Sequence, residues 1–113
     1  MELKNKRYEN IGIHVLSTIF TVDKGKIKIL LVKRTNEPFK DFWALPSGAL
    51  YNDELLCDGA KRELKEKTGI TGIDLDFSAV FDDIKRSELR RMIGISFIGV
   101  INVNGMKILS HFS

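Results

Sequence analysis

One stretch of this sequence, residues 53–68, carries the signals of an α-helix, and strand-like runs lie on both sides of it. The order of strands, one helix, then strands predicts an α+β fold around a mixed sheet. Asn52 or Asp53 can cap the helix and Gly69 can stop it. Acidic Asp53 and Glu54 suit the positive end of its dipole. The runs 11–22, 27–32, 73–83 and 92–103 are rich in β-branched and aromatic residues and read as strands. Lys24-Gly25-Lys26 joins the first two as a hairpin. Pro38 and Pro46 bracket a loop over 36–46. Its aromatics, Phe39, Phe42 and Trp43, read as anchors of the loop to the core, with a base-stacking surface for a ligand as the alternative.

Composition narrows the class. With 113 residues, 43% apolar and 29% charged, the chain is expected to form one globular domain, residues 1–113. It holds no run of the roughly 18 apolar residues that a membrane span needs. The N-terminal ten residues lack the apolar core of a secretory signal. A lone Cys57 cannot form an internal disulfide, so a reduced, cytoplasmic setting is expected. The net charge of +3 is small for a nucleic-acid binder. Two basic clusters stand out, Lys24, Lys26, Lys28, Lys33 and Arg34, then Lys85, Arg86, Arg90 and Arg91. They read either as solvated faces or as attraction for a phosphorylated ligand. There is no Cys/His cluster for zinc and no phosphate-binding G-x-x-x-x-G-K-[ST] loop. His14 reads as a packed or edge residue within a strand, and Asp82 and Asp83 as a turn.

At about 100° per residue, Leu56, Cys57, Ala60 and Leu64 form the core-facing stripe of the helix. Glu63 and Glu66 adjoin it as neighbours. Gly59 lies between them in angle, where a mid-helix glycine costs about 1 kcal/mol relative to alanine. Either something approaches closely there or the cost is tolerated. Two adjacent carboxylates repel and are held together best by a cation, for which a hard divalent ion such as Mg²⁺ is suited. A solvated Glu/Lys face is the plainer alternative.

The wider spacing decides between them. Gly48 is followed by Glu54, then by Arg62-Glu63-Leu64, Glu66 and Gly69-Ile70. This resembles the Nudix signature, G-x5-E-x7-R-E-U-x-E-E-x-G-U, where U is bulky and apolar. Every specified position matches except one, where Lys67 stands for a glutamate. The approach WALPSG at 43–48 is also similar to the family's. The resemblance implies an α/β/α sandwich with residues 48–70 as a loop–helix–loop. It implies MutT-like hydrolysis of nucleoside diphosphates linked to another moiety, with Mg²⁺ or Mn²⁺. It makes Glu63 and Glu66 the metal ligands or catalytic base and gives the Ser47 carbonyl a place in the metal shell. Glu54 would pair with Arg62 to hold the loop to the helix, and Gly48 and Gly69 would be structural. Lys67 breaks the pattern, because an ammonium cannot ligate a metal ion and repels one nearby. Four residues after Glu63, it can pair with that carboxylate and take over the charge-balancing role of the metal.

Leu31-Val32-Lys33-Arg34, Pro38-Phe39-Lys40 and Glu63-Leu64-Lys65-Glu66-Lys67-Thr68-Gly69 narrow the resemblance. They are similar to a Nudix branch that includes ADP-ribose pyrophosphatases and the NrtR transcriptional regulators. Two functions follow: a metal-dependent pyrophosphatase acting on an ADP-ribose-like substrate, impaired by Lys67, or an inactive ADP-ribose sensor. Arg34, Phe39 and Arg91 are the candidate substrate contacts. The resemblance covers about residues 11–101, with ten residues after Val103, so the C-terminal part is expected to be shortened. No winged-helix DNA-binding domain is read in this chain. Residues 92–103 are apolar on both faces, which predicts a homodimer that covers the sheet.

Overall fold

The computed structural model describes residue 7 and residues 11–84, 90–102 and 111–112. Lys85, Arg86 and Val103, named above, lie outside the described residues. The first hairpin forms as its turn chemistry demands. Strands β1 (Gly12–Asp23) and β2 (Lys26–Lys33) are antiparallel, with Asp23 opposite Lys26. Lys24 and Gly25 both hold positive φ, at 52° and 77°, the conformation of a two-residue turn that matches strand twist. Along β1 the buried positions alternate through Val15, Ser17, Ile19 and Thr21. That period of two fixes which face meets the core.

Further along, β1 and β2 part company. Short strand β3 (Trp43–Ala44) pairs with the end of β2, while β4 (Ser47–Ala49) takes the place of β2 beside His14–Leu16 of β1. Helix α1 (Leu56–Thr68) follows, then β5 (Asp76–Phe81), β6 (Met92–Val100) and β7 (His111–Phe112). The order across the sheet is β3-β2-β1-β6-β5, with β7 on β2. β6 runs parallel to β1 from Gly12↔Met92 to Phe20↔Val100, and the other pairings are antiparallel. This is the mixed sheet of an α+β fold, and α1 is the helix among the described residues.

Ala60 and Leu64 of α1 meet Val15, Ile19, Leu30, Ile95 and Phe97 of the sheet in one core. Burying a side chain of Leu64's or Ile19's size stabilises by about 1.5–3 kcal/mol. The helix ends at Gly69, whose φ of 80° lets its N–H reach the Lys65 carbonyl at 2.9 Å. The Thr68 hydroxyl seals the same end. It donates to the Leu64 carbonyl at 2.6 Å and accepts from the Ile70 N–H at 3.2 Å.

Several expectations need correction. The helix begins at Leu56 rather than at residue 53, and neither Asn52 nor Asp53 caps it. Leu55 is the extended residue before it, with no side-chain cap. The reason is that Glu54 is drawn into other bonds, described below. Leu56 is 37% exposed and leaves the core stripe. The last strands are shorter than 73–83 and 92–103: the carbonyls of Asp82 and Asp83 turn to the Arg91 guanidinium, at 2.8 and 3.2 Å. Phe39, Phe42 and Trp43 do not anchor their loop in the core, being 51%, 63% and 51% exposed. β6 buries both faces over its first half, whereas Ile98 and Val100 reach solvent.

Candidate functional site

Arg62 organises the loop–helix junction. Its Nε donates to Glu54 Oε2 at 2.9 Å and its Nη2 to Glu54 Oε1 at 2.7 Å, a two-pronged bond. Nη2 also donates to the Ala49 carbonyl at 3.0 Å. Nη1 donates to Glu63 Oε1 at 2.7 Å and lies 3.4 Å from Glu66 Oε2. The guanidinium stacks on the Tyr51 ring, 3.6 Å from its centre. Tyr51 also gives its backbone N–H to Glu54 Oε1 at 2.8 Å. One side chain thus ties residues 49–54 to the middle of α1.

These bonds set the ionisation of the pair. Hydrogen bonding from Arg62, then from the Tyr51 N–H, lowers the Glu54 carboxyl from its ordinary 4.5 to about 2. The same bond to Glu54, aided by Glu63, raises Arg62 beyond its already high value. Both stay charged at any physiological pH. The loop sits tightly enough to explain two glycines. A Cβ on Gly59 would come within 2.7 Å of Leu50 and 2.9 Å of Glu54, so the missing side chain makes room for the loop. A Cβ on Gly48 would stand 2.2 Å from the Glu63 carboxylate.

Glu63 is only 8% exposed, unlike a residue on a solvated helix face. It is satisfied from two sides, Oε1 by Arg62 and Oε2 by Lys67 Nζ at 3.3 Å. The Lys67 ammonium also donates to the Ser47 carbonyl. Lys67 and Ser47 line a cavity of about 290 Å³ together with Lys33, Arg34, Asn36 and Leu45.

The sequence candidates thus fall into three places. Glu54, Arg62, Glu63, Glu66, Gly48 and Ser47 converge at the start and middle of α1. Arg34 lies on the cavity wall, where its Nε donates to the Pro38 carbonyl at 2.9 Å. Phe39 belongs to the same loop and packs against Phe42, ring centres 5.8 Å apart. Arg91 braces the β5–β6 end and is not among the residues lining the cavity. Sequence reasoning missed Tyr51 and the Ala49 carbonyl as partners of Arg62. Tyr51's position three residues before Glu54, the spacing of a turn, was the available signal.

A divalent ion would need Ser47 O, Glu63 and Glu66 turned to one point. Here the Ser47 carbonyl and one Glu63 oxygen hold an ammonium, and the other Glu63 oxygen and Glu66 face a guanidinium. Among the described residues no group of three acidic, His or Cys side chains is placed to hold a metal. As arranged, these residues do not fit a divalent ion.

The profile of the NUDIX domain matches residues 13–105. The chain is 40% identical over 86 residues to the ADPR responsive transcriptional repressor NtrR of Acinetobacter baylyi, covering 74% of this chain and 34% of that protein. It is 38% identical over 93 residues to the ADP-ribose pyrophosphatase of Methanocaldococcus jannaschii, covering 82% of this chain and 54% of that one. The chain thus spans about a third and about half the length of these two relatives. The NUDIX domain of Shewanella oneidensis NrtR, solved with ADP ribose, superposes with a TM-score of 0.79 at 25% identity, over 86% of this chain and 64% of that one.

Proposed function

This chain belongs to the Nudix family, and we propose that it acts on an ADP-ribose-like nucleoside diphosphate, with pyrophosphate hydrolysis as its family chemistry and Lys67 as the restraint on that chemistry. The observation that carries the reading is the cavity beside α1. Lys33, Arg34 and Lys67 bring three positive charges to its wall, and none of its lining residues is acidic. Such a wall suits a ligand with two phosphates. Relatives named for ADP-ribose, both as a pyrophosphatase and as a responsive repressor, support the same ligand class. In this reading Glu63 holds the site together, and the more exposed Glu66 is the carboxylate able to take a proton from attacking water.

A second reading, an ADP-ribose sensor without turnover, is favoured by one observation: the Lys67 ammonium holds the oxygens a metal would need. AMP release from ADP-ribose with Mg²⁺, measured beside calorimetry of ADP-ribose binding, separates the two. Turnover supports the enzyme, and binding without turnover supports the sensor. Neither binding nor turnover would refute both.

The domain assignment, 1–113 as one Nudix unit, belongs to this proposal, as does a cytoplasmic location. No described helix is long and apolar enough to cross a membrane. So does assembly as a homodimer. Phe77, Val80 and Phe81 of β5 and Ile98 and Val100 of β6 are exposed at one margin of the sheet. Apolar surface of this kind is commonly buried between subunits.

A further inference from the structure

We propose that the Lys67 ammonium is the built-in cation of the ligand site, meeting the phosphate charge of a nucleoside diphosphate from the cavity wall so that the ligand binds without a divalent metal ion. The inference rests on the nucleotide-binding reading above. Its geometric basis is the double attachment of one ammonium. A plain helical ion pair would join Lys67 only to Glu63, four residues earlier. Here the ammonium also binds the carbonyl of Ser47, 20 residues away in sequence, on the strand that borders the cavity. The side chain therefore links helix, strand and cavity at one point.

Charge reaches the same conclusion. Glu54, Glu63 and Glu66 bring three negative charges to the junction, and Arg62 and Lys67 bring two positive ones. Replacing Lys67 by a carboxylate would leave four negative charges against one positive. The change is two units, the charge of one Mg²⁺ ion. With the lysine in place the cluster is already near balance, and an added dication would meet two resident cations at close range. The cavity wall, by contrast, adds Lys33 and Arg34 to Lys67, and none of its lining residues is acidic. Its excess positive charge awaits an anion rather than a metal. A volume of about 290 Å³ suits the phosphate-bearing part of a nucleotide rather than the whole of it.

Two titrations test this. In the first, Mn²⁺ alone is added to wild-type protein and to Lys67→Glu, and bound metal is read by electron paramagnetic resonance. The wild type should show no saturable site in the micromolar range, and Lys67→Glu should gain one. Equal Mn²⁺ affinity in both proteins would overturn the assignment of the cation, whatever the ligand. In the second, ADP-ribose is titrated calorimetrically into wild type and Lys67→Met, each with EDTA and with Mg²⁺. Wild-type affinity should be the same in both buffers, and Lys67→Met should bind roughly tenfold more weakly, as expected for losing one charge-assisted bond to phosphate. Wild-type binding that requires Mg²⁺, or a Lys67→Met variant of undiminished affinity, would overturn the proposal. Absence of ADP-ribose binding in every sample would refute the nucleotide reading and the ligand half of the proposal, leaving the Mn²⁺ titration to decide the cation.

Discussion

Two cations reach the carboxylates of one helix, and they do different work. Arg62 spreads its planar fork over Glu54, Glu63, Glu66 and the Ala49 carbonyl and lies against Tyr51. It is largely buried and faces inward, closing the loop onto the helix. Lys67 carries a point charge to two oxygens, and nearly half of its side chain remains exposed on a cavity wall. A guanidinium suits a fixed junction because its donors diverge at set angles, whereas a compact ammonium can serve a site where partners change. The lesson is that charge alone does not assign a role. The number of fixed partners and the side facing solvent do.

The largest expected effect breaks the Arg62 half. Arg62→Ala leaves Glu54 and Glu63 without their shared partner in a mostly buried setting, a loss of about 3 kcal/mol. The melting temperature should fall by roughly 10 °C or more, without metal or ligand present. A shift confined to ligand binding would contradict the structural role.

Next comes Gly48→Ala, whose added methyl would overlap the Glu63 carboxylate. Glu63 must move, so overpacking should cost about 1–3 kcal/mol. Because Glu63 anchors Lys67, ADP-ribose affinity should fall with it. Retained stability and affinity would show that the approach of Gly48 to Glu63 is immaterial.

A smaller effect follows pH. Folded Glu54 titrates at about 2 against its ordinary 4.5, so the folded state binds fewer protons in between. The stability it supplies is complete above pH 4.5 and is lost as pH falls towards 2. Glu54→Gln should therefore show a flatter fall in melting temperature over that window than wild type. Parallel curves would break the assignment. The smallest effect belongs to Lys67→Met, which should alter stability by less than about 1 kcal/mol while weakening ligand binding. A large drop in melting temperature would place Lys67 with Arg62 as a structural cation.

Much of this contrast was legible in the sequence. Helical spacing placed Glu63 beside Lys67, four residues on, while the pairing of Glu54 with Arg62 was implied by the resemblance to the Nudix signature. The hairpin was readable from Gly25, since glycine accepts the positive φ of a tight turn freely, whereas the positive φ of Lys24 was not. The helix start was not, because Asn52 and Asp53 look like caps while the adjacent Glu54 is claimed by a residue eight positions on. Local propensity does not see such a partner. Nor could pattern alone find the parallel pairing of β1 with β6 or the insertion of β4 beside β1, since these depend on contacts distant in sequence. The loop aromatics misled for a related reason. Apolar character suggests burial, yet Phe39 holds φ of 64° and pairs with Phe42 at the surface.

The central claim is that Lys67 occupies the place of a metal ion, and anomalous diffraction tests it most directly. Crystals would be grown with ADP-ribose and millimolar Mn²⁺, and data collected at the manganese edge. The account predicts the Lys67 ammonium between the Ser47 carbonyl and Glu63, with no manganese peak there. A manganese peak joining those two oxygens, with the Lys67 side chain displaced, would contradict it.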